Sequence, residues 1–226
     1  MKAKALTIRL ALATSGLVFV AIAIFQAARL GWAGDVSFST DRLLSESSRV
    51  LPISTLDQAR GSLAAAAAAV PSDATLHELL GAVDVRRTAS SDSSHEAIGH
   101  FVRALELRPV SPYTWASIAA QEYRSGNIGT SFEKAIVNAW RLGPQEPAVQ
   151  ATIANFGLAV WSQVAPATRG AVEAMVANGM RRAPQEMLQI AERRGRLDVA
   201  CRHFDGPSRR ADVKWTQTCQ GMEATS

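Results

Sequence analysis

The run Ala97-Ile98-Gly99-His100-Phe101-Val102-Arg103-Ala104-Leu105-Glu106-Leu107-Arg108-Pro109 decides how this chain folds. A small residue, an aromatic, a second small residue and a proline stand at successive offsets of four, three and five. Offsets of three and four put Ala97, Phe101 and Ala104 on one face of a helix. The alanines let a partner helix approach and the phenylalanine fills the space between the two. Pro109 ends the helix, because its ring cannot continue the hydrogen-bond ladder. Further along, Pro144 and Pro184 follow at intervals of 35 and 40 residues. That period belongs to arrays of helix-turn-helix units, each burying its apolar face against the next.

The pattern is similar to tetratricopeptide repeats, whose second helix carries the same order of residue types. The preceding helix supplies Leu80 and Gly81, with a lengthened turn around Ser90 to Ser94. A second unit opens with Pro112 and Trp115, followed by Ile118 and Ala119. Its second helix holds Phe132, Ile136, Ala139 and Pro144, in register once one residue is inserted near Asn127. A looser third copy runs from Pro147 through Ala154 and Trp161, then Val172, Val176 and Gly179, to Pro184. Phe101, Trp115, Phe132 and Trp161 fall where such a fold needs bulk and are assigned to the core. A helix over Gln185 to Phe204 is expected to cap the open end. Upstream, the alanine-rich stretch Leu56 to Val70 reads as a helix stopped by Pro71. No convincing strand pattern interrupts this series, so the expected class is all-α: a solenoid of antiparallel helix pairs.

Nineteen residues without formal charge separate Arg9 from Arg29, with a dense apolar run from Leu17 to Phe25. As a helix this stretch spans roughly 30 Å, the thickness of a bilayer's hydrocarbon layer. Lys2, Lys4 and Arg9 form a positive flank that stays cytoplasmic and sends everything after Trp32 across the membrane. A cleaved secretory signal, cut near Gly31-Trp32-Ala33, is the competing reading. Against it stand the length of the apolar run and the interfacial character of Gln26, Arg29 and Trp32. Both readings export the domain. The expected layout is a cytoplasmic tip and transmembrane anchor over 1–33, a linker over 34–54, the repeat domain over 55–204 and a tail over 205–226. The expected location is the inner membrane, single-pass, with the bulk of the chain periplasmic.

The net charge of +4 comes largely from that positive flank; without its three cations, 21 basic residues face 20 acidic ones. A near-neutral body disfavours phosphate-backbone binding, so no nucleic acid is expected as a partner. The local exception is eight arginines between Arg181 and Arg210, against Glu186, Glu192, Asp198 and Asp205. These suit an anionic polymer, lipid headgroups or an acidic protein patch, or they form a solvated face. The four histidines are scattered, and His95 and His100 stand five apart, which does not place both on one helical face; no metal site is read. No nucleophile elbow, phosphate-cradling glycine loop or evident carboxylate pair points to catalysis, and no cofactor is implied. Cys201 and Cys219 belong to no metal or redox motif. They read as a disulfide in an exported domain, or as two free thiols.

A narrower likeness runs from Arg108 to Met180. Arg108-Pro109-Val110-Ser111-Pro112-Tyr113-Thr114-Trp115, Phe132-Glu133-Lys134-Ala135 and Leu142-Gly143-Pro144-Gln145-Glu146-Pro147-Ala148-Val149-Gln150 resemble segments of membrane-anchored repeat proteins encoded with exopolysaccharide biosynthesis machinery. Gly157-Leu158-Ala159-Val160-Trp161 and Pro166-Ala167-Thr168-Arg169 add to it. Similar strings occur in repeat regions attached to O-antigen ligase-like polymerases. The resemblance implies a part in synthesis or export of a secreted polysaccharide and carries over no catalytic residue.

A stacked array presents the first helix of each pair on a concave face that suits a peptide or partner helix. In this register Tyr113, Tyr123, Arg124, Asn155 and Leu158 point toward the groove, although Tyr123 equally suits the core. The leading expectation is a scaffold that holds protein partners of a polysaccharide complex. Two others are a periplasmic chaperone-like module for cytochrome maturation or envelope protein assembly, and direct binding of an anionic polysaccharide through Arg193, Arg194 and Arg196.

Overall fold

The structure, a computed structural model, describes residues 2–46, 51–87, 91–204 and 213–223. Its first element, α1 (Lys2–Glu46), runs unbroken for 45 residues, because the first proline in the chain is Pro52. From Leu17 to Trp32 its large apolar side chains are exposed, Leu17 and Phe19 by 74%. This is a helix long and apolar enough to cross a membrane. At Ala33 the pattern changes. Ala33, Val36, Thr40 and Leu44, spaced by three and four, are buried. They lie on one side of the helix and pack on α2 (Ile53–Ala69) and α3 (Ala74–Arg87). The segment expected as a linker over 34–54 is therefore helical as far as Glu46, and its inner side belongs to the array. Residues 47–50 lie outside the described part. The physical reason is that nothing between Trp32 and Glu46 breaks a helix, while α2 and α3 offer an apolar surface to cover.

The series continues with α4 (Ser91–Leu107), α5 (Pro112–Arg124), α6 (Thr130–Leu142), α7 (Pro147–Ala159), α8 (Pro166–Arg182), α9 (Pro184–Arg193), α10 (Leu197–Cys201) and α11 (Val213–Glu223). No strand occurs among the described residues. Consecutive helices pair as α3 with α4, α5 with α6, α7 with α8 and α9 with α10. The first members then stack, α5 on α7 and α7 on α9, as do the second members, α6 on α8 and α8 on α10. The docked half of α1 and its neighbour α2 open this solenoid-like stack. Pro112, Pro147, Pro166 and Pro184 stand at helix starts, where the missing N–H would have no partner in any case.

The pattern that opens the sequence reading is buried as its spacing requires: Ala97, Phe101 and Ala104 are at most 4% exposed. A Cβ on Gly81 would lie 2.6 Å from the Phe101 ring, so α3 and α4 approach as closely as the pairing of small and aromatic residues demands. Phe132 is fully buried, but Trp115 and Trp161, assigned to the core with it, are only half buried. Each indole has a polar edge and a face that attracts cations. Trp115 donates its N–H to the Pro109 carbonyl at 3.1 Å, and the Arg196 guanidinium lies 5.3 Å from the centre of the Trp161 ring.

Carboxylates stitch successive units together. Glu78 on α3 accepts hydrogen bonds from Arg108 in the turn after α4 and from Ser111 and Thr114 at the start of α5. Glu133 on α6 accepts from Thr168 Oγ1 at 2.5 Å and from the Ala165 N–H at 3.3 Å at the start of α8. Both acids meet helix N-termini, where free N–H groups favour negative charge.

The single capping helix expected over Gln185 to Phe204 is instead broken into α9 and α10. Gly195, at φ +64°, takes the left-handed conformation that ends α9. Its N–H bonds to Glu192 O, and the Arg196 N–H reaches back to Ala191 O at 2.8 Å. Cys201 and Cys219 are joined by a disulfide, which holds α11 on the end of the array and brings Trp215 and Cys219 into the core.

Candidate functional site

The first-member helices enclose a groove of about 500 Å³, walled by α1, α3, α5 and α7. Its floor is made of small side chains, Ala82, Ala116, Ala120 and Ala148, with Leu44, Leu79 and Phe156 around them. α5 and α7 stack directly, and the small side chains of Ala116, Ala120 and Ala148 suit that approach.

Two of the five residues expected at the groove line it, Tyr113 and Arg124. Tyr113 is half exposed and donates its phenol hydrogen to the Glu146 carboxylate; that bond holds the phenol above its ordinary pKa. Arg124 places its guanidinium 5.8 Å from the centre of the Phe156 ring. Two more form a clamp beside the groove. Tyr123 packs against Phe156 with ring centroids 5.0 Å apart, under the guanidinium of Arg194. Asn155 accepts from Arg194 Nε at 3.0 Å. The fifth is a correction: Leu158 is 1% exposed and lies in the core. With Ile153, Ala154 and Gly157 it forms the side of α7 that meets α8.

The sequence reading missed Asp41 and Ser45 on α1, Arg86 at the end of α3, and Phe156. Arg86 repeats on α3 the position that Arg124 takes on α5, the last turn of a first-member helix; that correspondence is the signal that could have found it. Both arginines are exposed and neither has an acidic partner among the described residues.

The arginine-rich end is engaged differently. Arg181 bonds Asn178, Arg182 donates to Gln145 O at 2.7 Å, and Arg194 holds Asn155. Arg196 pairs with Asp198 at 2.9 Å and Arg202 with Glu173 at 3.2 Å. These cations hold the fold locally, while Arg193 is exposed; Asp205, Arg209 and Arg210 lie outside the described residues.

A second polar cluster lies between α2, α3 and α4. Asp84 is fully buried and pairs with Arg60 at 2.7 Å, Arg87 at 3.3 Å and His100 at 3.5 Å. His77 stacks on His100, ring centroids 6.2 Å apart. Burial lowers both imidazole pKa values; His100 and Arg103 add to this at His77, whereas Asp84 opposes it at His100. The cluster reads as a structural tie among three helices. Among the described residues, no three His, Cys, Asp or Glu groups are placed to hold a metal.

Searches against family models, characterised proteins and solved structures return no match for this chain.

Proposed function

We propose that the chain is an inner-membrane scaffold of exopolysaccharide biosynthesis or export, its N-terminus cytoplasmic and its helical array periplasmic. It acts by holding a protein of the same machinery in the groove, and it supplies shape and charge where that machinery supplies catalysis. The observation that carries the reading is the groove on the stacked first-member helices, open to solvent and bordered by Arg86 and Arg124. A surface of that kind suits capture of an extended peptide or loop. The helix that precedes it is long and apolar enough to fix the array at a membrane. The pathway rests on the resemblance over Arg108 to Met180. Deleting the gene should abolish secreted polysaccharide or alter its chain length. Unchanged yield and length would remove the pathway from the proposal. Neighbouring genes for glycosyltransferases and a polysaccharide export porin favour it; neighbouring haem-handling genes favour the chaperone alternative.

A further inference from the structure

Building on the scaffold reading, we infer that the groove takes an extended acidic segment of a neighbouring membrane protein, one that lies within about 20 Å of the bilayer. Three observations converge on this occupant.

The first is height. α1 passes without a break from its exposed apolar half into the wall of the groove, where Asp41, Leu44 and Ser45 stand. At 1.5 Å per residue, these lie roughly 14 to 20 Å beyond Trp32 along the helix axis. Tilting the helix only lowers them. A partner must therefore offer its segment close to the membrane surface, as the loops and tails of membrane proteins do.

The second is charge. Arg86 and Arg124 border the groove without acidic partners among the described residues, and Asp41 is the single acid in its lining. Basic residues in a last helical turn also suit the helix dipole, which explains why they are tolerated there. That bland role does not require two of them on one groove whose lining holds a single acid. Acidic groups on an incoming chain would form charge-assisted hydrogen bonds with both.

The third is size. The groove offers about 500 Å³ of space above side chains of alanine size. An extended strand fits the small-residue floor formed by Ala82, Ala116 and Ala120 and passes along it.

The full chain in lipid nanodiscs is titrated with two fluorescein-labelled dodecapeptides. One repeats Leu-Ser-Glu, the other Leu-Ser-Lys, and binding is read by anisotropy. The acidic peptide should bind and the basic one should not. The double variant Arg86→Glu/Arg124→Glu, with its helical content verified by circular dichroism, should lose the acidic peptide by tenfold or more and take up the basic one. Equal binding of the two peptides, or no change in the variant, overturns the inference. So does a dimer of the wild-type chain that the double variant dissociates, since a second copy would then be the occupant. In cells, seven alanines inserted between Trp32 and Ala33 lift the groove by about 10 Å while nearly restoring its azimuth. Polysaccharide output should fall although peptide binding in vitro persists, and unchanged output sinks the membrane-proximal placement. Deletion of the gene separates the two readings. If deletion alters the polysaccharide and Arg86→Glu/Arg124→Glu does not, the inference fails alone; if deletion alters nothing, the scaffold reading fails.

Discussion

Replacing Gly157 by alanine should destabilise the array, whereas the same change at Gly99 should stabilise it. Both glycines are interior to helices, α7 and α4, so helix propensity favours alanine at each by about 0.8 to 1 kcal/mol. Their surroundings differ. A Cβ at Gly99 meets nothing within 4 Å, while one at Gly157 would fall 2.3 Å from Val172 Cγ2 and 2.9 Å from its Cγ1. Val172 is fully buried on α8, short and branched, and has no flexible end to swing aside. Overpacking of this kind costs about 1 to 3 kcal/mol. Contact with a stiff side chain belongs in the upper part of that range, so the net effect at Gly157 is a loss of about 2 kcal/mol. At roughly 2–4 °C per kcal/mol for a domain of this size, Tm falls by about 4 to 8 °C in one variant and rises by about 2 to 4 °C in the other. Thermal unfolding of the full chain in mild detergent, followed by circular dichroism, reads both. The double change Gly157→Ala/Val172→Ala supplies the internal control, because the new methyl then occupies space the valine has vacated. A coupling of about 1 kcal/mol or more is expected between the two sites. A Gly157→Ala protein as stable as wild type, or a strictly additive double variant, would refute the close approach of α7 and α8.

Other expectations follow from the same packing. Replacing Cys201 and Cys219 together by alanine opens a loop closed over a separation of 18 residues, and about 3 kcal/mol of stability should be lost. Denaturant midpoints with and without reductant test this, and the variant should be indifferent to the reductant. Asp84→Asn removes the fully buried partner of Arg60, whose side chain is 34% exposed. Screening on the arginine side sets the expected cost at roughly 2 to 3 kcal/mol, below the figure for a fully buried pair, and urea unfolding measures it. His77 and His100 have folded pKa values below the ordinary 6.5, so the folded state favours their neutral forms. Their contribution is complete above about pH 6.5 and is lost as pH falls toward the folded values. Urea midpoints at pH 7.5, 6.5 and 5.5 should decline in that order, and His77→Phe should flatten the decline; a flat wild-type profile would count against it. Finally, Val20→Lys with Ile24→Lys puts two charges in the apolar run, each costing about 2.5 to 3.5 kcal/mol at a membrane helix centre. The variant should leave the carbonate-washed membrane fraction, and retention there would mean that α1 does not span.

The array was legible wherever burial is enforced by helical spacing. Ala97, Phe101 and Ala104, then Phe132, Ile136 and Ala139, repeat offsets that only a helix puts on one face, and all six are buried. The joint between the apolar half of α1 and the array was not legible, because its buried side is carried by Ala33, Val36, Thr40 and Leu44. Two of these are small or polar, and their stripe emerges only if the helix is allowed to run past Trp32. The break at Gly195 was present in the sequence. Arg124-Ser125-Gly126-Asn127 and Arg193-Arg194-Gly195-Arg196 place a positive-φ glycine at the same point of two first-member helices. The corresponding end of α7 has Val160 and Trp161 and no glycine, so the correspondence skips a unit. Leu158 was misplaced for a related reason. The third copy departs from the common spacing, and its inward face is set by the contact of Gly157 with Val172. At the groove, Tyr113 and Arg124 could be read from the register, but Asp41 and Ser45 could not, since they lie on the segment taken for a linker.

That misread joint bears most on function. A flexible linker would let the array sample many heights and directions, and groove chemistry alone would then select a partner. A continuous helix removes that freedom. Because Ala33 is already buried one residue past Trp32, the first contact of the array begins where the exposed apolar half ends. The azimuth of the groove is thus tied to the rotation of α1, at about 100° per residue. Gly31 and Gly34 are the two glycines near the joint, and each lowers helix propensity there by about 0.8 to 1 kcal/mol relative to alanine. They sit within the helix and not in a turn, so they soften the joint without making a hinge. On the proposed scaffold reading, recognition is a matter of where the groove stands as much as of what lines it, and an array cut free of α1 would lose both that placement and one wall of the groove.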